Sequence, residues 1–171
     1  MKLTSLNIPE VIVIEPEIYE DERGFFFESF NQKKFNEALG RKVSFVQDNH
    51  SKSKYGVLRG LHYQDEPYSQ AKLIRVISGE IFDVAVDIRI ESPSYGQWIA
   101  CELSAQNKKQ LWVPEGFAHG FLVVSDVAEV IYKTNNFYNK NLEKNIHWKS
   151  NPFDINWPLK DSDILTSSKD A

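Results

Sequence analysis

The sequence predicts an all-β fold, a sandwich, jelly roll or barrel of about ten short strands with a few short helices. Three observations carry that expectation. Most segments alternate apolar and polar residues with the two-residue period of a strand that has one face buried. Turn signals recur at intervals of roughly ten residues. Helical spacing is scarce, confined to a stretch after the second predicted strand and to short pieces near the C-terminus.

In chain order, strand candidates lie at residues 11–14 and 24–30. Asn31 then offers an N-cap for a short helix running to Leu39, with Phe35 and Leu39 on one side and Gly40 as a stop. Further strands are expected at 43–48, 57–63 and 73–77. Ser78-Gly79 reads as a two-residue hairpin leading into the clearest strand, 81–90. There Phe82, Val84, Val86, Ile88 and Ile90 share one face, while Asp83, Ala85, Asp87 and Arg89 share the other. The second face reads as solvated by default; the alternative is a polar lumen, which at the mouth of a barrel would be a ready-made site. Strands at 98–104, 109–113, 120–124 and 128–134 complete the set. From about Asn139 the chain is rich in Asn, Lys, Asp and Pro, and residues 139–171 read as an ordered tail pinned by Trp148 and Trp157.

A chain of 171 residues fits one domain, and its 42% hydrophobic and 13% aromatic content argues against disorder. The net charge of -4 and pI near 5.6 make nucleic acid a poor partner. A single phosphorylated small molecule remains compatible, because two or three placed Arg and Lys residues suffice for it. Cys101 is the one cysteine, so no internal disulfide and no cysteine-built zinc site is expected; it reads as a small buried thiol. The N-terminus lacks the apolar run of a signal peptide and no stretch reaches membrane-spanning length, so a cytoplasmic location without membrane contact is the expectation.

The densest chemical cluster is GVLRGLHYQ at 56–64, where Arg59 and His62 interrupt an apolar strand between glycines that permit close approach. A second histidine, His119, follows a Pro/Gly turn in PEGFAHGF at 114–121. Together the two segments resemble the paired motifs of cupins, which implies a cupin-type jelly-roll β-barrel. Metal-binding cupins carry two histidines one residue apart in the first motif; here that place reads His62-Tyr63-Gln64, so no metal is expected.

The likeness becomes specific over eight segments: 21–30 (DERGFFFESF), 45–51 (FVQDNHS), 58–64 (LRGLHYQ), 70–73 (QAKL), 82–87 (FDVAVD), 113–121 (VPEGFAHGF), 132–134 (YKT) and 167–170 (SSKD). In this order they resemble the dTDP-4-dehydrorhamnose 3,5-epimerase family across nearly the whole chain. The resemblance implies an isomerase that removes a proton from each carbon beside a sugar ketone and returns it on the opposite face. The ketone spreads the resulting charge onto oxygen, so no cofactor is needed. What remains is a base, an acid on the other face and a cation near the enolate oxygen.

Carried over by resemblance, His62 is the base, Asp170 its orienting partner, Tyr132 the acid, and Lys72 the cation; Asp83 is a reserve partner for His62. Arg23 and Arg59 suit a diphosphate, because guanidinium forks bind phosphate oxygens in pairs. Gln47 and Asn49 suit a thymine edge, and Tyr138 matches a residue that stacks on the base. Glu28, Asp48, His119, Glu143 and Lys169 match further substrate contacts. From the residues alone, Glu28, Glu143 and Lys169 are ordinary solvated charges and Lys72 an ordinary strand-end lysine. His50 and His147 match nothing catalytic and read as structural or exposed.

The resemblance also implies a homodimer in which residues 1–30 reach the neighbouring subunit, so that Arg23 and Glu28 complete its site. The substrate partner is a dTDP-linked sugar. Three other functions compete: an epimerase or ketoisomerase acting at one carbon in another deoxysugar pathway, a non-catalytic ligand-binding cupin, and a metal-dependent oxygenase.

Overall fold

A computed structural model describes residues 1–151 and 153–170. The strands are β1 (Lys2–Ser5), β2 (Ile12–Glu15), β3 (Tyr19–Asp21), β4 (Gly24–Phe26), β5 (Gln47–Lys54), β6 (Leu58–Gln64) and β7 (Lys72–Ser78). They continue with β8 (Glu80–Asp87), β9 (Trp98–Ser104), β10 (Gln110–Val113), β11 (Phe117–Val123), β12 (Val127–Thr134) and β13 (Glu143–Asn145). One α-helix, α1 (Gln32–Leu39), and a 3-10 turn at Asp161–Asp163 complete the elements of the described residues. None of these helices is long and apolar enough to cross a membrane.

The strands form two facing antiparallel sheets, in the orders β1-β2-β10-β7-β12-β5 and β13-β6-β11-β8-β9, with β3 and β4 as a separate hairpin. This is the jelly-roll barrel that the cupin resemblance implies, one of the all-β arrangements the strand pattern left open. Between the sheets lies the main core, where Val13, Ile74, Leu111 and Val130 of the first sheet meet Ile81, Leu103, Phe117 and Phe121 of the second. Each such fully buried side chain stabilises the fold by roughly 1.5–3 kcal/mol.

The outer faces are covered too. On the six-stranded sheet, α1 presses Phe35 onto Trp112 and Leu73. Asn31 caps it by accepting from the Lys34 N–H, and Gly40 ends it in the left-handed conformation at φ 71°. On the five-stranded sheet, the chain after β13 lays Ile146, Ile155 and Trp157 over Leu61, Val84 and Val86. Trp148 is buried there, and its carbonyl accepts from Trp157 Nε1 at 3.1 Å.

Four expectations need correction. The Asp83 face of β8 is not solvated: Asp83, Ala85 and Asp87 are completely buried and face the lumen, because the chain after β13 already covers the opposite face. Nor does Ser78-Gly79 close a hairpin. β7 pairs with β10 and β12, β8 with β9 and β11, so the chain crosses between sheets there. Gly79 has φ +75°, and a Cβ on it would lie 1.9 Å from the Val127 carbonyl, which is why this corner takes glycine. Finally, the fifth strand begins at Gln47 rather than residue 43, and α1 follows the fourth strand, since β1 and β3 precede it unannounced by any apolar alternation.

Candidate active site

Strand alternation sets which side chains reach the lumen. In β5, Gln47 and Asn49 point inward, opposite Thr134 and Tyr132 of β12. In β7, Lys72 and Ile74 pair with those same two residues from the other side. One wall of the lumen therefore holds Lys72, Tyr132, Asn49 and Gln47. The facing wall comes from β6, where His62 pairs with His119 but Arg59, three residues earlier, pairs with Phe121, two residues later. In a regular strand, positions three apart face opposite ways. The extra residue in this bulge brings Arg59 and His62 to the same face. Glycines make the bulge possible: a Cβ on Gly60 would lie 2.5 Å from Gly120 Cα, and one on Gly120 would lie 2.7 Å from the Arg59 carbonyl.

Between the walls opens a cleft of about 340 Å³. His62, Lys72 and Tyr132 all line it, with Gln47, Asn49, Tyr138, Glu143 and Lys169 around its mouth. His62 Nε2 meets Asp170 Oδ1 at 2.5 Å, and Ser167 Oγ donates to the other oxygen of Asp170 at 3.0 Å. Asp170 is buried although it lies at the far end of the chain. With Nε2–H given to the carboxylate, Nδ1 is left as the lone-pair nitrogen of the ring. Burial lowers the His62 pKa below the ordinary imidazole value, and the bond and charge of Asp170 only partly offset it.

The other two groups carry the marks of the same dry interior. Burial pushes the Lys72 ammonium down to about 8, against the attraction of Asp83 and Glu143. Its Nζ donates to the His62 carbonyl at 3.3 Å. Burial also raises the Tyr132 phenol, against the opposing charge of Arg59, so it remains a protonated donor across the neutral range. A base that is neutral at pH 7, a protonated phenol and a buried cation around one cleft form a constellation suited to moving protons next to a carbonyl.

At the mouth, Tyr138 is held from two sides. Its N–H donates to Gln47 Oε1 at 3.0 Å, and its hydroxyl to Glu143 Oε2 at 2.8 Å. Lys169 bonds the other Glu143 oxygen, and Asn145 holds the Lys169 carbonyl at 2.6 Å. Burial opposes ionisation of Glu143, but the Lys169 and Tyr138 bonds outweigh it and hold the carboxyl below its ordinary value.

Other residues singled out in the sequence lie elsewhere. Asp83 does not partner His62; it accepts from His119 Nε2 at 2.8 Å, and both are buried deeper in the lumen. Arg59 is exposed beside the cleft and donates to Ser53 Oγ at 3.0 Å. Asp48 faces the opposite side of the sheet from Gln47 and Asn49, where it pairs with Lys133 at 2.9 Å. Arg23 sits on the exposed β3–β4 turn, bound to Asp21, and Glu28 is exposed beside Lys34 and Asn31. Within this chain, neither Arg23 nor Glu28 joins the cleft. His50 is exposed and bonded to Glu129, and His147 stacks on Trp148.

Gln64 was overlooked. It lines the cleft two positions after His62, and its side chain bonds the Tyr68 and Phe137 carbonyls and the Asn139 N–H, fixing the loop that carries Tyr138. Its two-residue spacing from His62 was the available signal. Among the described residues no group of three His, Cys, Asp or Glu side chains is arranged to hold a metal ion. Burial pushes the Cys101 thiol up to about 11, which leaves it unreactive at neutral pH.

The family model described as dTDP-4-dehydrorhamnose 3,5-epimerase matches residues 5–171. A Shigella flexneri protein of that name is 61% identical over 170 residues, covering 99% of this chain and 93% of that protein. One from Salmonella typhimurium is 57% identical over 164 residues, covering 96% of this chain and 89% of the relative. Among solved structures, the Legionella pneumophila dTDP-6-deoxy-D-glucose-3,5-epimerase in complex with dTDP-4-keto-L-rhamnose superposes with a TM-score of 0.95. It is 50% identical and is matched over 99% of this chain and 89% of its own.

Proposed function

As the chain belongs to the dTDP-4-dehydrorhamnose 3,5-epimerase family, we propose that it inverts C3 and C5 of dTDP-4-dehydro-6-deoxy-D-glucose, giving dTDP-4-dehydro-L-rhamnose for dTDP-L-rhamnose biosynthesis. His62 takes the proton from a carbon beside the ketone, with Asp170 orienting the ring. Lys72 stands by the oxygen on which the enolate charge collects, and Tyr132 returns a proton from the opposite face. The ketone itself is the electron sink, so the step calls for neither redox cofactor nor metal. One observation carries the reading: His62 reaches the cleft from one sheet while Tyr132 and Lys72 reach the same cleft from the other.

The nucleotide half of the substrate is assigned to the mouth. Tyr138 stacks on the base, Gln47 and Asn49 face its edge, and Arg59 lies toward the diphosphate, with Glu143 and Lys169 as further contacts; His119 lies deeper in the lumen against Asp83, away from the mouth. Asp48 points outward, so no side-chain contact is given to it.

The functional unit is a homodimer of single-domain chains, 1–171, working in the cytoplasm. Supporting this, the β3–β4 hairpin pairs with no other strand of the described residues and exposes Tyr19, Phe25 and Phe26. Arg23 and Glu28 then serve the neighbouring subunit's cleft. Mixing Arg23→Ala with His62→Ala protein checks this, because a heterodimer sharing sites in that way regains one intact cleft and activity. Continued inactivity of exchanged mixtures overturns the sharing.

The activity is tested by incubating dTDP-4-keto-6-deoxyglucose with the protein in deuterated water. Label at both carbons flanking the ketone is the expected result. Label at one carbon would instead assign the chain to a single-site epimerase or ketoisomerase, and no label would remove the epimerase reading.

A further inference from the structure

Asp83 projects from β8 into the lumen two residues before Ala85, the register partner of His119, and is completely buried. Its Oδ1 accepts from His119 Nε2, while Oδ2 has no hydrogen-bond partner among the described residues. A carboxylate left half-bare in the interior is unfavourable unless positive charge lies within reach. Across the lumen, β7 supplies that charge in Lys72, itself only 7% exposed and bonded to the His62 carbonyl. No carboxylate of the described residues is in direct contact with Lys72, so the attraction acts through the low-dielectric interior, where it reaches further than in water.

The charged and titratable groups around Lys72 come from every neighbouring element: His62 of β6, Asp83 of β8, His119 of β11, Tyr132 of β12, Glu143 of β13 and Lys169 of the tail. Lys169 repels it. Glu143 is already engaged by Lys169 and the Tyr138 hydroxyl. Asp83 is the largest attraction on the ammonium and is fixed in place by full burial.

We propose that Asp83 is a positioning residue, the fixed anion of the lumen that orients the His119 ring and balances the Lys72 ammonium facing the cleft. It does not line the cleft and acts only through these two residues. The inference rests on the proposed role of Lys72 beside the ketone oxygen.

The test is Asp83→Asn in the full-length protein, which keeps an acceptor for His119 and removes the charge. Lysine-labelled NMR of the ligand-free protein reads the Lys72 titration midpoint, about 8 in the native chain. The midpoint is expected to fall by roughly one unit or more, and the alkaline limb of kcat moves down with it, kcat changing more than KM. An unmoved midpoint overturns the proposal. Should Asp83→Asn fail to fold, Lys72→Met alone is compared with the double variant. The double variant is expected to melt at the higher temperature, since it no longer strands the buried anion; an equal or lower Tm overturns the proposal. The midpoint needs no substrate, so native protein that exchanges no deuterium into the sugar would remove the epimerase reading and leave this result standing.

Discussion

The imidazole of His62 and the carboxylate of Asp170 lie 108 positions apart in the sequence and meet at 2.5 Å. Asp170→Asn keeps the shape and removes the charge, so kcat is expected to fall by roughly 10²–10⁴. Asp170 raises the His62 pKa while burial lowers it more. The native acid limb of kcat/KM therefore lies below the ordinary histidine value of about 6.5, and the variant's lies lower still. A pH–rate profile checks the sign: a limb that stays or rises would dissociate the two residues.

In the proposed reaction Tyr132 gives protons and His62 takes them. Tyr132→Phe removes the donor without disturbing the base. Inverted product is expected to drop roughly 10²–10⁴-fold, while deuterium from solvent still enters recovered substrate at the carbon His62 reaches. NMR of the recovered sugar decides, and loss of both signals together would mean that Tyr132 acts earlier than assigned.

The ammonium of Lys72 is held down to about 8 by burial. Since the cation is the useful form, kcat/KM is expected to decline as pH rises through that value. In Lys72→Met this limb disappears and the rate at neutral pH is already lower, by roughly 10²–10³ for one lost electrostatic contact. The Tyr132 phenol, raised by burial above its ordinary value, ionises at higher pH than Lys72. A native profile flat to pH 10 would remove Lys72 from this role.

Asp87 bears on stability rather than catalysis. Burial opposes its ionisation, yet bonds from Arg89, Ser92 and Ser94 prevail and hold its carboxyl far below the ordinary range. Its contribution is present above the unfolded value of about 3.9 and is lost as pH falls toward the folded one. Asp87→Asn is expected to cost about 1–3 kcal/mol at pH 7, the penalty of disturbing charged hydrogen bonds. Melting curves against pH should show the gap from native protein narrowing below pH ~4.

Apolar alternation made most of the sheet framework legible, and Asn31 with Gly40 announced α1. β5 escaped in part because its sequence is QDNHSKSK, whose inward positions Gln47, Asn49, Ser51 and Ser53 are polar where they face the lumen. The same polarity made Asp83 look solvated. Ser78-Gly79 shows a limit of local turn chemistry, which specifies a sharp bend but not whether the next strand pairs back or crosses. Roles for Lys72, Tyr132 and Asp170 came from the family likeness, since no local signal tells a buried lysine from an exposed one at the start of a strand. The family likeness makes Asp48 a further substrate contact, although two-residue alternation alone sends it to the face opposite Gln47 and Asn49.

The groups to which proton removal and return are assigned in the proposed reaction are anchored on separate layers, His62 on one and Tyr132 with Lys72 on the other. Face-to-face layers stand roughly 10 Å apart, a distance set by the side chains interleaved between them. Residues such as Ile74 and Phe121 therefore act as a gauge block as well as an adhesive. Trimming the filler would misalign the proton traffic while the scaffold still stood, so catalytic competence has a narrower tolerance for interior volume than folding does.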